Sequence, residues 1–385
     1  MPPSLPPQAR REASLPKVKL IRALQDDAIR RRVERRHDPT SMAVAARLLE
    51  INPDVVTAWN LRRETIVSLA EQAAAAEAAE STETKTKTET KPSTSEGDAS
   101  PEPPHSPPYS PPLEDELALT EKTLRKNPKS YPSWHHRRWT VRRIVEAARS
   151  SPGTAADADA VLAREMRLVE KLLEMDDRNF HCWGYRRFVA ELAGASPSDE
   201  LAFTTRKIEA NFSNYSAWHH RSSVLPLARG VPGDGDGFPP GTRSLPKDVL
   251  DAEYELVQQA FFTEPEDQSG WMYHRWLTGQ TAGGRTGTGT GAVRNGILRD
   301  GNGQIPVPVP VPGDVAETLD REAALCRELI EMEPDSRWPV ATLARLRAAS
   351  GTGAGAEESR ECFKKLEGLD PMRRGYYCDC GGWCR

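Results

Sequence analysis

The chain has 385 residues and a nearly balanced charge, with 52 Lys and Arg against 56 Asp and Glu and a formal net charge of −4. This balance argues against nucleic acid or an anionic membrane surface as the main partner. No run of 18 apolar residues occurs, and the Pro-rich start is unlike a secretory signal, so neither a membrane span nor export is predicted. We expect an intracellular, cytoplasmic protein whose six cysteines stay reduced.

A tryptophan followed by basic residues recurs five times, each copy just after a short turn that contains Asn or Asp. The copies, in chain order, are Trp59 with Arg62, Trp134 with Arg137, Trp183 with Arg186, Trp218 with Arg221 and Trp271 with Arg275. Trp183 and Trp218 are 35 residues apart, and each longer interval contains a stretch without a core-forming pattern. An interval of about 35 residues is typical of a helix–turn–helix repeat.

Six helix pairs are predicted, beginning near residues 41, 113, 161, 198, 248 and 315. The first helix of each pair carries an apolar stripe at helical period, as at Leu162, Met166 and Val169. Proline after Asn or Glu ends this helix, because proline cannot continue the hydrogen-bond ladder. The second helix carries the tryptophan and the arginines.

The repeats define a domain over residues 41–377, preceded by an N-terminal helix and tail at 1–40 and followed by an atypical tail at 378–385. Low-complexity stretches cannot bury enough apolar surface to offset chain entropy, so we expect three disordered insertions. These insertions are residues 71–112, 229–246 and 280–312.

A structural role is predicted for most of the tryptophans and arginines. Each tryptophan would pack between neighbouring units, and an arginine three residues later would reach turn carbonyls or carboxylates of the next unit. The predicted fold is all-α, a right-handed superhelix of helical hairpins that offers a surface to a partner. No metal site is expected in this chain, because adjacent histidines such as His135 and His136 point about 100° apart on a helix. The residues alone indicate a scaffold.

The repeated phrase N-P-x-x-Y-x-x-W-x-x-R-R resembles that of protein prenyltransferase α subunits. NPKSYPSWHHR at 127–137, NFHCWGYRRFVA at 179–190 and LDPMRRGYY at 369–377 are similar to the α subunits of Rab geranylgeranyltransferase, the type II enzyme. The resemblance implies a heterodimer with a β subunit that carries zinc, while this chain binds no cofactor itself. It also implies transfer of geranylgeranyl from its diphosphate to C-terminal cysteines of Rab GTPases, with a Rab escort protein as a further partner.

The resemblance also implies site residues in two turns. Lys129 and His181 match positions that act on the isoprenoid diphosphate, and Tyr131 and Asn179 match supporting polar contacts. Positive donors suit this place because negative charge develops on the diphosphate as its bond to carbon breaks. Two alternatives remain: the α subunit of farnesyltransferase and type I geranylgeranyltransferase, and a non-catalytic helical-repeat adaptor.

Overall fold

The computed structural model describes residues 7–88, 113–150, 155–232, 243–281, 313–350 and 352–382. This described part is helical apart from short turns and one pair of two-residue strands. The chain forms two compact units, Met1–Ala193 and Gly194–Arg385. The prediction of an all-α fold built from helical hairpins is confirmed.

The first unit consists of seven helices. They are α1 (Pro7–Val33), α2 (Pro39–Ile51), α3 (Val56–Thr88), α4 (Leu113–Lys126), α5 (Tyr131–Ser150), α6 (Ala155–Met175) and α7 (Phe180–Ala193). Helices α2 and α3, α4 and α5, and α6 and α7 pack as hairpins, and α1 packs against the first of them. Leu48, Leu49, Trp59 and Leu61 form a buried cluster with Ala28 of α1.

The second unit continues the same hairpin arrangement. Its elements are α8 (Pro197–Ala210), α9 (Tyr215–Arg229), β1 (Val231–Pro232), β2 (Arg243–Ser244), α10 (Lys247–Thr263), α11 (Gln268–Thr281), α12 (Gly313–Met332), α13 (Arg337–Ala349), α14 (Gly353–Leu369), a 3₁₀ turn (Pro371–Arg373) and α15 (Arg374–Gly381). Helices α8 and α9, α10 and α11, and α12 and α13 pack as pairs, and α14 packs against both α13 and α15. The six predicted pair starts therefore agree with the structure to within a few residues, except that α6 begins six residues early.

Four of the hairpin turns are fixed by the side chain that follows their first helix. The side-chain oxygens of Asn52, Asn127, Asp176 and Asn211 accept the backbone N–H two residues later, at 3.0–3.3 Å. Such an Asx turn reverses the chain without help from other parts of the protein. In these four turns the Asn or Asp at the end of the first helix is therefore the residue that closes the turn. In the fifth copy, Asp267 instead accepts the backbone N–H of Ser269 at the start of α11, at 2.8 Å.

The repeated tryptophans lock these turns onto the following helix. Each indole N–H donates to the carbonyl six residues earlier, at 2.7–2.9 Å. The five side chains are buried, with exposed fractions of 1–4%: Trp59, Trp134, Trp183, Trp218 and Trp271. Burial of so large a side chain requires a partner for its N–H, and the turn carbonyl is that partner. The prediction that these five tryptophans are buried is confirmed.

The arginine three residues after the tryptophan reaches a buried carboxylate of the next hairpin. Both Nε and Nη2 of Arg137 donate to Glu165, each at 2.7 Å. A hydroxyl or imidazole of the later hairpin completes the contact, as Tyr185 does for Glu165 at 2.7 Å. We call this arrangement a junction clamp. The clamps within single units are Arg62–Glu116–His136, Arg137–Glu165–Tyr185 and Arg221–Glu253–Tyr273.

The two remaining motif arginines are Arg186 and Arg275. Arg186 is buried and lies 3.5 Å from Glu170. The motif assignment of Arg275 was one residue too late, because the position three residues after Trp271 is His274. His274 is buried and contacts Glu322 at 3.2 Å, whereas Arg275 is only partly covered.

The predicted boundaries of the insertions need correction. Residues 71–88 continue α3, since a run of Ala and Glu has high intrinsic helix propensity even without packing. Within 229–246, Val231 pairs with Ser244 and Pro232 with Arg243 in an antiparallel ladder. Residues 280 and 281 still belong to α11. The predictions of disorder for 89–112, 233–242 and 282–312 lie outside the described residues.

The C-terminal segment is also more regular than predicted. Helix α15 runs through the expected tail to Gly381, with Tyr377 and Cys380 buried in a cluster with Phe363. Gly382 then adopts a positive φ of 81°, the left-handed conformation that ends the helix. The last three residues, 383–385, lie outside the described part of the chain.

Candidate functional site

Two consecutive turns of the first unit bring predicted site residues together. Lys129 lies in the turn before α5 and Tyr131 begins that helix, while Asn179 directly precedes α7 and His181 is the second residue of α7. The ring of Tyr131 meets that of His181 edge-on, with centroids 4.1 Å apart. Phe180 lies beside both rings, 3.9 Å from His181 and 5.9 Å from Tyr131. Both turns therefore contribute to one surface.

Lys129 extends from this surface toward solvent. Its side chain is 70% exposed, and its amine lies 3.8 Å from Asp176 Oδ2. So long and exposed an ion contact holds the amine weakly. The amine of Lys129 is thus available to an anionic ligand.

The side chain of Asn179 makes hydrogen bonds within the protein. Its side-chain oxygen accepts the backbone N–H groups of His181 and Cys182, at 3.1 and 3.3 Å, and so caps α7. Its side-chain nitrogen donates to the carbonyl of Pro128 in the preceding turn, at 3.1 Å. These bonds fix the two turns relative to each other. Asn179 therefore positions His181, and its polar atoms are already used within the protein.

The surroundings of His181 favour its neutral form. Burial lowers the pKa of the imidazole, and the positive charges of Arg138 and Lys129 lower it further. Its side chain is 8% exposed between Tyr131 and Phe180. A neutral imidazole still offers one N–H, so His181 acts as a hydrogen-bond donor, and the full positive charges come from its neighbours.

Arg138 is a member of this surface that sequence reasoning missed. It is half-buried, and its Nη2 lies 3.1 Å from the point where a Cβ on Gly184 would be. The missing side chain of Gly184 thus leaves room for a guanidinium beside α7. The sequence does contain a signal for this residue, because Arg138 is the second member of an Arg-Arg pair. Successive residues of a helix point about 100° apart, so Arg138 faces away from the clamp formed by Arg137.

The described residues offer no metal centre. No group of three or more His, Cys, Asp or Glu side chains among them is placed to hold a metal ion. His136 and His220 are each turned inward onto a glutamate, at 2.8 and 2.9 Å, and so are separated from their neighbours His135 and His219. Within the same described ranges, no helix combines the length and apolar character that crossing a bilayer requires.

Comparisons with known proteins agree with this architecture. The family described as "Protein prenyltransferase alpha subunit repeat" matches residues 113–144, 162–193, 197–227 and 250–281. The chain of the Candida albicans protein geranylgeranyltransferase-I complexed with GGPP has a TM-score of 0.57, with coverage of 93% of this chain and 88% of that one. At 16% sequence identity, this likeness shows the fold alone.

Relatives named geranylgeranyl transferase type-2 subunit alpha are more similar in sequence. The Dictyostelium discoideum protein is 31% identical, over 96% of this chain and 93% of its own length. The rat protein is 30% identical, over 97% of this chain and 72% of its own. The bovine protein is 39% identical over 273 residues, and the matched region spans 40% of its length. The chain belongs to the family of protein prenyltransferase alpha subunits, among which it is similar to geranylgeranyl transferase type-2 subunits.

Proposed function

We propose that this chain is the α subunit of a type 2 geranylgeranyl transferase and works as a heterodimer with a β subunit. The observation that carries the proposal is the 31% identity to the Dictyostelium type-2 α subunit, which extends over nearly the whole length of both chains. The heterodimer would transfer geranylgeranyl from its diphosphate to C-terminal cysteines of Rab GTPases bound to an escort protein. The α subunit would serve as the scaffold of the catalytic β subunit.

The surface on the first unit supplies what such a transfer requires from this chain. As the bond between the allylic carbon and the diphosphate oxygen breaks, negative charge grows on the leaving group. The amine of Lys129 would stabilise this charge, and the neutral imidazole of His181 would donate a hydrogen bond to it. Tyr131 would keep the imidazole in place, since its ring packs edge-on against His181 at 4.1 Å. Asn179 would act indirectly, through the cap that positions His181.

The chemistry at the acceptor cysteine would belong to the partner. Zinc activates a thiol by stabilising its thiolate form, and we propose that the β subunit holds this zinc. The described residues of this chain provide no set of side chains that fits the metal. We propose that this chain contributes binding and positioning at the diphosphate end.

The proposal is tested by co-expressing the chain with a candidate type-2 β subunit. The purified complex would be incubated with radiolabelled geranylgeranyl diphosphate and either a Rab–escort complex or a peptide that ends in a CaaX sequence. Labelling of the Rab protein alone is the expected result. Labelling of the CaaX peptide alone would favour the farnesyltransferase and type I α subunit instead. Failure to bind any prenyltransferase β subunit would favour a helical-repeat adaptor.

A further inference from the structure

Three guanidinium groups gather on α5 and α7 of the first unit, next to the surface of Lys129 and His181. The Cζ atoms of Arg138 and Arg142 lie 5.6 and 5.5 Å from the centroid of the Phe188 ring. Arg187 directly precedes Phe188. The Nη2 atoms of Arg138 and Arg187 both lie within 3.9 Å of the point where a Cβ on Gly184 would be. We call Arg138, Arg142 and Arg187 the arginine cluster.

The donors of the arginine cluster are not used within the described part of the chain. None of the three guanidiniums forms an ion pair with a carboxylate there, whereas Arg137 gives two donors to Glu165. A cation–π contact with Phe188 holds Arg138 and Arg142 through the ring face and leaves their N–H groups free to bind. Arg142 and Arg187 are exposed, and Arg138 is half-buried.

Three like charges without a counter-ion among the described residues repel one another, so binding of an anion among them would be favoured. The repulsion is visible at Arg138: burial lowers the pKa of its guanidinium, and the charges of Arg187 and Arg142 lower it further. The same positive region extends to His135, whose pKa is lowered by burial and by Arg63 and Arg138. A surface of this kind attracts a multiply charged anion.

We propose that the arginine cluster binds the phosphate oxygens of a diphosphate. The planar guanidinium fork matches phosphate geometry with two parallel hydrogen bonds. Two such forks lie over the Phe188 ring and the third lies beside Gly184, an arrangement that suits a compact anion with several oxygens. An acidic peptide would instead require cations spaced along an extended line. The diphosphate has two sources, the head group of an isoprenoid lipid and free inorganic diphosphate. The choice of diphosphate over other oxyanions rests on the proposed function.

The test is calorimetric titration of the full-length chain, alone and with its β subunit, with inorganic diphosphate and with geranylgeranyl diphosphate. Arg142→Gln and Arg187→Gln remove one guanidinium each without touching Lys129 or His181. The matched control is Arg143→Gln, because Arg143 lies on the same helix but stacks on Trp139, with its Cζ 5.4 Å from the ring centroid. Circular dichroism melting of each variant checks that it is folded.

We expect Arg142→Gln and Arg187→Gln to weaken binding of inorganic diphosphate about ten- to a hundred-fold, as is usual for a lost hydrogen bond to a charged group. Arg143→Gln should bind like the wild type. An equal loss with geranylgeranyl diphosphate assigns the cluster to the lipid head group, and a loss with inorganic diphosphate alone assigns it to the released product.

Wild-type affinity in both folded variants, or the same loss in Arg143→Gln, would overturn the inference. Unchanged diphosphate binding together with weaker β-subunit binding would also overturn it and assign the cluster to an acidic protein surface. A heterodimer that transfers no lipid, yet binds diphosphate in a manner dependent on Arg142, would remove the proposed function and leave the inference standing. The two proposals therefore fail separately.

Discussion

At the scale of single residues, His136 shows that burial can lower the pKa of an imidazole even when a neighbouring carboxylate acts to raise it. Its Nε2 lies 2.8 Å from Glu116 Oε2, and within the described part of the chain its Nδ1 has no hydrogen-bond partner. Protonation would place a second N–H on Nδ1, where no acceptor is available. Burial accordingly lowers the pKa of His136, although Glu116 opposes the shift. The neutral ring donates to the carboxylate while Arg62 supplies the positive charge.

This neutral histidine should make the protein less stable in mild acid. In the unfolded chain the imidazole has its ordinary pKa of 6.5, whereas in the folded chain the pKa is lower. Below pH 6.5 the unfolded state therefore binds the extra proton, and the free energy of unfolding falls by up to about 1.4 kcal/mol per pH unit. His136→Gln keeps a donor for Glu116 but cannot titrate. Urea denaturation at pH 7.5 and 5.5 should show a smaller loss for the variant, and equal losses would contradict a neutral His136.

Lys129 is expected to act on the chemical step. A charge that matters mainly when the leaving group becomes negative contributes to the transition state more than to lipid binding. Lys129→Ala should therefore slow single-turnover transfer about ten- to a thousand-fold, with little change in affinity for geranylgeranyl diphosphate. His181→Ala should cost less, since its ring is neutral. Lys122→Ala is the control, because Lys122 is exposed on α4 and pairs with Glu50 at 2.7 Å. An unchanged rate in Lys129→Ala would make this lysine an ordinary solvated turn residue.

At the scale of elements, the junction clamps connect one hairpin to the next. Glu165 on α6 is fully enclosed and accepts from Arg137 on α5 and from Tyr185 on α7. A buried carboxylate in such surroundings requires all of its partners, since removal of one leaves a charge that water cannot reach. The clamp therefore fixes the register between hairpins as well as contributing to their stability.

Removing only the arginine of a junction clamp should lower the free energy of unfolding. Arg137→Ala leaves Glu165 without its cation, so we expect a loss of about 3–5 kcal/mol in the free energy of unfolding, measured by urea denaturation. The double variant Arg137→Met with Glu165→Leu removes both charges and should lose clearly less. Arg125→Ala is the matched surface control, because the Arg125–Glu121 pair at 2.5 Å is largely exposed and should contribute under about 1 kcal/mol. A similar cost for Arg137→Ala and Arg125→Ala would show that the clamp is not energetically distinct.

The elements also show which parts of the fold are readable in the sequence. The Trp period and the proline stops predicted the hairpins, because they act locally within one turn of the chain. The sequence predicted that the arginines could reach carboxylates of the next unit, but it did not identify which ones, although Glu116, Glu165 and Glu253 each stand 18 residues before a repeated tryptophan. Only the folded chain shows which glutamate each arginine of the preceding hairpin contacts. His274 was missed for a related reason, since residue type was matched there instead of helical position.

The candidate site was likewise only partly predictable from the sequence. Lys129, Tyr131 and His181 were identified through a resemblance, and the structure brings Tyr131 and His181 into ring contact. The helix cap formed by Asn179 was not predicted, because an asparagine at this position suits a helix cap and a ligand contact equally well, and the sequence does not distinguish the two. The place of Arg138 depends on the space left by Gly184 on a neighbouring helix. Such a contact has no local signature.

At the scale of the whole molecule, exposed aromatic rings beside the candidate site indicate where a partner subunit binds. Tyr131 is 66% exposed and Phe180 58% exposed, and their rings are 5.9 Å apart. Aromatic side chains that are exposed in the free chain are frequent anchors of protein interfaces. We expect a 1:1 complex with the β subunit, measured by light scattering, in which these two rings are covered.

Phe180→Ser should weaken this complex about thirty-fold or more, the range typical of an interface anchor. Val33→Ser serves as the control, because Val33 is also an exposed apolar side chain, 78% exposed at the end of α1. Affinity for the β subunit can be measured by biolayer interferometry with the full-length chain. Equal affinities for Phe180→Ser and the wild type would place the interface elsewhere.

The direction of the junction clamps has a consequence for synthesis on the ribosome. Each clamp arginine belongs to an earlier hairpin than its carboxylate, so the growing chain makes the cation first. Once the chain has emerged from the ribosome as far as Ser150, Arg137 can contact the carbonyl of Leu117 and the hydroxyl of Thr120, each at 2.9 Å, while Glu165 has not yet emerged. Translation of α6 then supplies the missing charge. Each newly made hairpin thus completes the one before it, and the chain matures in the order in which it is translated.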